Sequence, residues 1–335
     1  MTDTAIDTAT DRTPLLAVEG LKTYLYLRRG VVKAIDGVDL HVHAGESLGI
    51  IGESGSGKTM TSLSIMRLLP QPGGRIVAGS IRLNGVDLLQ LSERDMAANY
   101  RGRQISMISQ DPLASLNPVF TIGDQVGAPF RYHGLAKDEA DIRRSAIDVL
   151  RRLRIPSPER RLDDYPHQFS GGMRQRVVAA MAIACSPRLL IADEPTSALD
   201  VTIQAQMLDL LREIQHSAGL GLILITHDLG VAASVCHRIA VMYSGRIVET
   251  GDVREIYARP AHPYTQALLQ SLPRLGEKKR RLYSIAGQPP SLLDRPRGCA
   301  FAARCAHRMP ICDESPPPTV QAAPGQSAAC WLLKS

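Results

Sequence analysis

Gly52-Glu53-Ser54-Gly55-Ser56-Gly57-Lys58-Thr59 sets the reading of the whole chain. The stretch has the form G-x-x-x-x-G-K-[ST], the phosphate-binding loop of a nucleoside triphosphatase. Its glycines let the backbone turn tightly and bring successive N–H groups to an anion. Gly52, Ser54, Gly55, Ser56 and Gly57 form the candidate cradle. Lys58 supplies a positive charge at the β- and γ-phosphates, and Thr59 offers a hydroxyl to Mg²⁺. Before the loop, Glu46-Ser47-Leu48-Gly49-Ile50-Ile51 reads as a short apolar strand. After it, residues 59–66 have helical spacing, which aims a helix N-terminus at the phosphates.

Around this centre the chain alternates strand and helix. Leu189–Ala192 and Gly221–Ile225 are wholly apolar strands, and residues 202–216 and 229–236 are helical. Apolar strands with helices between them imply a parallel sheet covered on both faces. Residues 15–43 read instead as a small antiparallel layer leading into the loop strand, and 95–185 as a mainly helical insertion. Residues 1–13 are polar and Thr/Asp-rich, which predicts a disordered tail. Beyond Gly251 the composition shifts, and the proline-rich end reads as an appendage rather than more of the sheet.

Composition narrows the function classes. The chain has 335 residues, 44% of them hydrophobic, enough for one large domain and an extension. No apolar run approaches the ~20 residues of a membrane helix, and the N-terminus lacks the pattern of a secretory signal. A soluble cytosolic protein is expected. The net charge of +6 is scattered and aromatics are only 4%, which disfavours nucleic acid as a partner. The dense run Lys278-Lys279-Arg280-Arg281 reads as a solvated linker, with lipid headgroups as the alternative.

Phosphoryl transfer needs a carboxylate on Mg²⁺ and a group that orients water. The strand Leu189–Ala192 runs into Asp193-Glu194, placing Asp193 to hold the cation and Glu194 to polarise water. Ser170, Gly171 and Gly172 stand at a predicted helix start, a second anion-binding geometry. One chain already has a complete phosphate loop, so a second anion site suggests a shared nucleotide.

The surroundings resemble the ABC transporter ATPases. Phe169-Ser170-Gly171-Gly172-Met173-Arg174-Gln175-Arg176 resembles their signature motif, Ser197-Ala198-Leu199-Asp200 their D-loop, His227 their switch histidine and Gln110 their Q-loop glutamine. The resemblance implies an α/β fold of the P-loop ABC type: a RecA-like α/β core, an antiparallel β subdomain and a helical subdomain spanning 14–255. It implies that ATP is sandwiched between the phosphate loop of one subunit and the signature motif of another. His227 then feels the γ-phosphate, Gln110 senses Mg²⁺ and the attacking water, and Asp200 belongs to the interface. Two departures stand out. Phe169 and Met173 replace the Leu and Gln usual in the signature. Leu25 falls where an aromatic usually stacks on adenine, between Tyr24 and Tyr26; either a tyrosine shifts into place or an aliphatic contact replaces the stack.

Within that family, Gln110–Pro118, His262-Pro263-Tyr264-Thr265 and a tail containing Gly298-Cys299-Ala300-Phe301 and Arg304-Cys305 resemble the oligopeptide and dipeptide importers. This implies an ATPase at the cytoplasmic face of the membrane, bound peripherally. The expected partners are a second, similar ATPase subunit, two permease subunits and an extracytoplasmic peptide-binding protein. Importers of nickel and other small solutes share the core motifs, and a non-transport ABC ATPase is a further alternative. In the 256–335 extension, Cys299, Cys305, Cys312 and Cys330 are too widely spaced for the C-x2-C pairs of ordinary zinc sites. Four thiolates suit an iron–sulfur cluster, and the resemblance points to [4Fe-4S]; zinc and unligated thiols are the alternatives. Cys185 and Cys236 read as small core residues.

Overall fold

The computed structural model describes residues 13–111, 115–197, 199–272 and 284–334. Most of the N-terminal tail, the basic run 278–281, Pro112–Ala114 and Ala198 lie outside the described residues.

A small antiparallel sheet comes first. Strands β1 (Leu16–Leu27) and β2 (Gly30–Val42) pair with each other, and later β4 (Gly74–Leu83) and β5 (Val86–Asp87) join in the order β2-β1-β4-β5. The second sheet has eight strands: β3 (Ser47–Ile51), β6 (Ile105–Ile108), β7 (Leu189–Asp193), β8 (Gly221–Thr226), β9 (Arg238–Tyr243), β10 (Arg246–Asp252), β11 (Thr319–Ala323) and β12 (Gln326–Ala329). Their order is β11-β12-β10-β9-β3-β8-β7-β6, with β9, β3, β8, β7 and β6 mutually parallel.

The apolar strands are explained by burial on both faces. Alternation sends Leu48, Ile50, Leu189, Ile191, Ile223 and Ile225 to one core, shared with the antiparallel sheet. It sends Ile51, Leu190, Ala192, Leu222, Leu224 and Val241 to the other, shared with the helices. Three of those helices, Ile122–Tyr132, Glu139–Arg152 and Gly171–Ile183, stand between β6 and β7. Each begins on a side-chain cap: Thr121, Asp138 and Ser170 accept from the backbone N–H three residues on. Cys236 is buried and its thiol is pushed up to about 12 by that burial, whereas Cys185 is half-buried.

The proline-rich end differs from its expected place. It is not merely appended: β11 and β12 form a hairpin around Gly325, whose φ is +75°, and β12 pairs antiparallel with β10. The local cause is Glu249, a β10 carboxylate only 1% exposed. It accepts from Gln326 Nε2 at 2.7 Å, Ala261 N at 2.7 Å and His262 N at 2.9 Å. Buried charge requires such partners, and the end of the chain provides one of them.

Candidate functional site

β3 is buried throughout and delivers Gly52 to the end of the sheet. A Cβ at Gly52 would lie 2.1 Å from the Met242 carbonyl oxygen, so no other residue fits there without displacing backbone. Gly57 caps the following helix, Lys58–Ile65, with φ at +107°. Lys58 is 5% exposed, and its ammonium donates to the carbonyls of Gly52 at 2.8 Å and Glu53 at 3.1 Å. Burial pushes its pKa down, while Glu194, Asp193 and Glu53 push it up.

At the end of β7, Asp193 is 1% exposed. Burial raises its pKa, the hydrogen bond from the Thr59 hydroxyl lowers it, the Glu194 charge raises it and Lys58 lowers it. Its Oδ1 is buried without a hydrogen-bond partner among the described residues. An orphaned carboxylate oxygen beside a hydroxyl is a donor pair suited to a hard divalent cation.

Glu194 follows in the left-handed backbone region, φ +46°, an uncommon setting for a residue with a side chain. Its N–H is held by the Ile225 carbonyl of β8 at 2.9 Å. Its Oε2 receives Gln110 Nε2 at 3.3 Å and lies 3.4 Å from His227 Nδ1. Gln110, Glu194 and His227 follow β6, β7 and β8 respectively, so parallel neighbouring strands bring residues far apart in sequence to one carboxylate.

The signature residues occupy another place. Ser170 caps helix Gly171–Ile183, accepting from Met173 N at 3.4 Å, and Ser170 and Gly171 are exposed. Among the described residues, no hydrogen bond joins Ser170, Gly171 or Gly172 to the phosphate loop. A Cβ at Gly172 would lie 2.6 Å from Ile203 Cγ2, so this turn packs closely on helix Val201–Ala218, whose N-cap is Asp200. Tyr24 is engaged elsewhere: its hydroxyl donates to Asp36 Oδ1 at 3.1 Å. Tyr26 is 47% exposed, with the Arg75 guanidinium 5.5 Å from its ring centre. The β1–β2 register shifts between Thr23 and Leu25, where β2 carries an extra residue, while Thr23, Tyr24 and Leu25 pair in simple register with Ile76, Arg75 and Gly74 of β4.

Cys299, Cys305, Cys312 and Cys330 line one small cavity with His262, His307 and Trp331. Burial pushes the Cys299 thiol up to about 11, with the other three cysteines adding to the rise. Among the described residues, no three His, Cys, Asp or Glu side chains are gathered to hold a single metal ion. No described helix is long and apolar enough to cross a membrane.

Glu53, an unspecified position of the loop motif, holds contacts that the motif does not announce. Arg304 binds its carboxylate through both terminal nitrogens, and Tyr264 Oη accepts its backbone N–H at 2.9 Å. Both partners lie in segments that marked the importer branch, but a motif match carries no contact information.

Comparison with known proteins agrees with this geometry. Residues 35–197 match the ABC transporter family, and residues 248–312 match the oligopeptide/dipeptide transporter C-terminal region. A "Probable peptide ABC transporter ATP-binding protein" of Sinorhizobium fredii is 50% identical over 95% of this chain and 94% of its own length. The dipeptide transport ATP-binding protein DppD of Bacillus subtilis is 48% identical, covering 95% of this chain and 94% of its own. The dimeric cassette MJ0796 aligns with a TM-score of 0.63 and 25% identity over 71% of this chain and 99% of its own. The chain belongs to the ABC transporter ATP-binding family, in the branch that carries the oligopeptide/dipeptide transporter C-terminal region.

Proposed function

We propose that this chain is the ATP-hydrolysing subunit that powers import of di- and oligopeptides through a membrane complex. The observation that carries the hydrolytic part is the meeting of Gln110 and His227 on Glu194 Oε2. Lys58 and the loop N–H groups bind the β- and γ-phosphates. Thr59 and Asp193 would hold Mg²⁺, with Gln110 as a further ligand, and the cation would supply positive charge to the phosphates. Glu194 orients and polarises the attacking water, and His227 hydrogen-bonds the γ-phosphate. Tyr26 is the available aromatic for adenine, since Tyr24 is occupied with Asp36.

The exposed turn at Ser170–Gly171 suits the γ-phosphate of an ATP held by a second ATPase subunit, and Asp200 lies at that same interface. This arrangement requires a head-to-tail pair with two nucleotides between the subunits. Val119 and Phe120, 72% and 52% exposed, follow the Gln110–Pro118 segment and suit a permease surface. The subunit then sits peripherally on the cytoplasmic face of the membrane, beside two permeases that receive peptide from an extracytoplasmic binding protein. Peptide as the cargo is supported by the matched C-terminal region and by the names of the relatives.

We propose further that the four C-terminal cysteines would hold a [4Fe-4S] cluster. What supports the reading is that all four line one small cavity; burial favours the neutral thiol at Cys299, so ligation would require loss of the thiol protons. A cluster supplies folding energy to a segment with little core of its own.

The test is reconstitution of the purified membrane complex in vesicles, with uptake of a labelled dipeptide measured with and without ATP. ATP-dependent dipeptide uptake is expected. Robust ATP hydrolysis with uptake of a metal ion or another small solute, and no peptide, would overturn the cargo assignment.

A further inference from the structure

Glu53 is tied to the C-terminal segment at two points. Arg304 Nη1 donates to Glu53 Oε2 at 2.7 Å and Nη2 to Oε1 at 3.0 Å, a bidentate pair. The Arg304 side chain is 5% exposed. Its remaining donors reach Ala286 O at 3.0 Å, Ile285 O at 3.3 Å and Tyr243 Oη at 3.2 Å. Its guanidinium lies 5.9 Å from the ring centres of both Tyr243 and Phe301. The backbone N–H of Glu53 donates to Tyr264 Oη. The carbonyl of the same residue accepts from Lys58 Nζ at 3.1 Å and Ser56 N at 3.1 Å. One residue of the phosphate loop therefore joins the phosphate-binding lysine to the far end of the chain.

Arg304 is itself placed by the cysteines' backbone. It ends a short 3-10 turn, Ala302–Arg304, closed by Ala302 N to Cys299 O at 3.1 Å and Cys305 N to Ala302 O at 3.2 Å. Cys299 N in turn donates to Cys312 O at 2.7 Å. Whatever orders Cys299, Cys305 and Cys312 orders the turn, and the turn aims Arg304 at the loop.

We propose that Arg304 is a positioning residue for the phosphate loop, and that through it the order of the four-cysteine segment sets the affinity for ATP. The first half stands on the contacts alone; the link to cluster occupancy rests on the iron–sulfur reading. A Lys at 304 keeps the charge but cannot form the fork. Arg304→Lys and Glu53→Gln should each weaken binding of a fluorescent ATP analogue with Mg²⁺ by roughly tenfold, the scale expected for a partly lost charge-assisted pair. In Arg304→Lys, KM for ATP should rise while kcat at saturating ATP holds.

Coupling is reciprocal, so nucleotide must also shield the segment. In a Glu194→Gln background, which retains ATP, Mg·ATP should slow iron removal by a chelator. It should slow thiol alkylation of iron-free protein in the same way. Both protections should vanish with Arg304→Lys. Unchanged affinity in both variants overturns the proposal. So does a lower melting temperature with nucleotide protection intact, the mark of a merely structural role. Protein that binds no iron, yet shows Arg304-dependent protection from alkylation, sinks the cluster reading and upholds the positioning role.

Discussion

His227 Nδ1 lies 3.4 Å from Glu194 Oε2, the oxygen that Gln110 Nε2 also reaches at 3.3 Å. His227 is 64% exposed while Glu194 is 17% exposed, so a partly buried carboxylate faces outward through a histidine open to solvent. Such a group is set to act on a substrate that arrives from outside, and the first prediction follows from it. Glu194→Gln keeps the shape and removes the charge. Turnover should fall by roughly 10²–10⁴-fold, ATP should still bind, and the subunit pair should stay closed. Lys58→Ala should weaken binding itself. Phosphate release and calorimetric titration separate the two, and normal turnover in Glu194→Gln would remove that residue from its role.

Gly52→Ala tests the close approach of β3 to β9. The added methyl meets the Met242 carbonyl at 2.1 Å and Ser56 Oγ at 2.8 Å. Strands cannot part locally here without disturbing the loop. A loss of about 1–3 kcal/mol is expected, with weaker nucleotide binding, read by denaturant melts and titration. A wild-type melt would show that the strands yield freely.

Acid should loosen the attachment of the C-terminal segment to β2. Burial by itself would raise the Asp36 carboxyl, but the Arg246 hydrogen bond and charge, with the Arg295 charge, hold it below the usual range. Its stabilising contribution is therefore complete above the unfolded value of about 3.9 and is lost as pH falls through the lower folded value. Melting temperatures from pH 5 down to pH 3 should drop less steeply in Asp36→Asn than in the wild type. Parallel slopes would show that Asp36 does not contribute.

Anaerobically purified protein should be coloured, with the broad visible absorbance of an iron–sulfur cluster. Cys305→Ser and Cys312→Ser should each lose most of the iron. Colourless, iron-free wild-type protein after full reconstitution would overturn the cluster and leave zinc or unligated thiols.

The sequence disclosed the loop because its chemistry is contiguous, and it disclosed Asp193, Glu194 and His227 because each follows an apolar strand of a parallel sheet. Strand order then did what no local pattern can, bringing Gln110 to Glu194 across 84 positions. Three features were not legible. Arg304 meets Glu53 across 251 positions, and nothing local in either residue specifies the other. Tyr24 gives its hydroxyl to Asp36 on the neighbouring strand β2, a partner that the pattern of β1 alone does not name. The hairpin 319–329 is rich in Ala and Gln, and its strandedness comes from pairing with β10 rather than from its own apolar pattern.

That hairpin bears on how the protein is handled. β10 has β9 on one side and β12 on the other, so its ladder edge is covered by residues that come last in the chain. Cutting after residue 255, where the cassette alone would end, strips that cover. It exposes a strand edge of the kind that seeds intermolecular pairing, and it leaves Glu249 buried with none of the three donors that now satisfy it. A shortened chain of this type would be expected in inclusion bodies rather than in the soluble fraction, and the sheet that carries the phosphate loop is complete only when a segment more than seventy residues beyond β10 has been made.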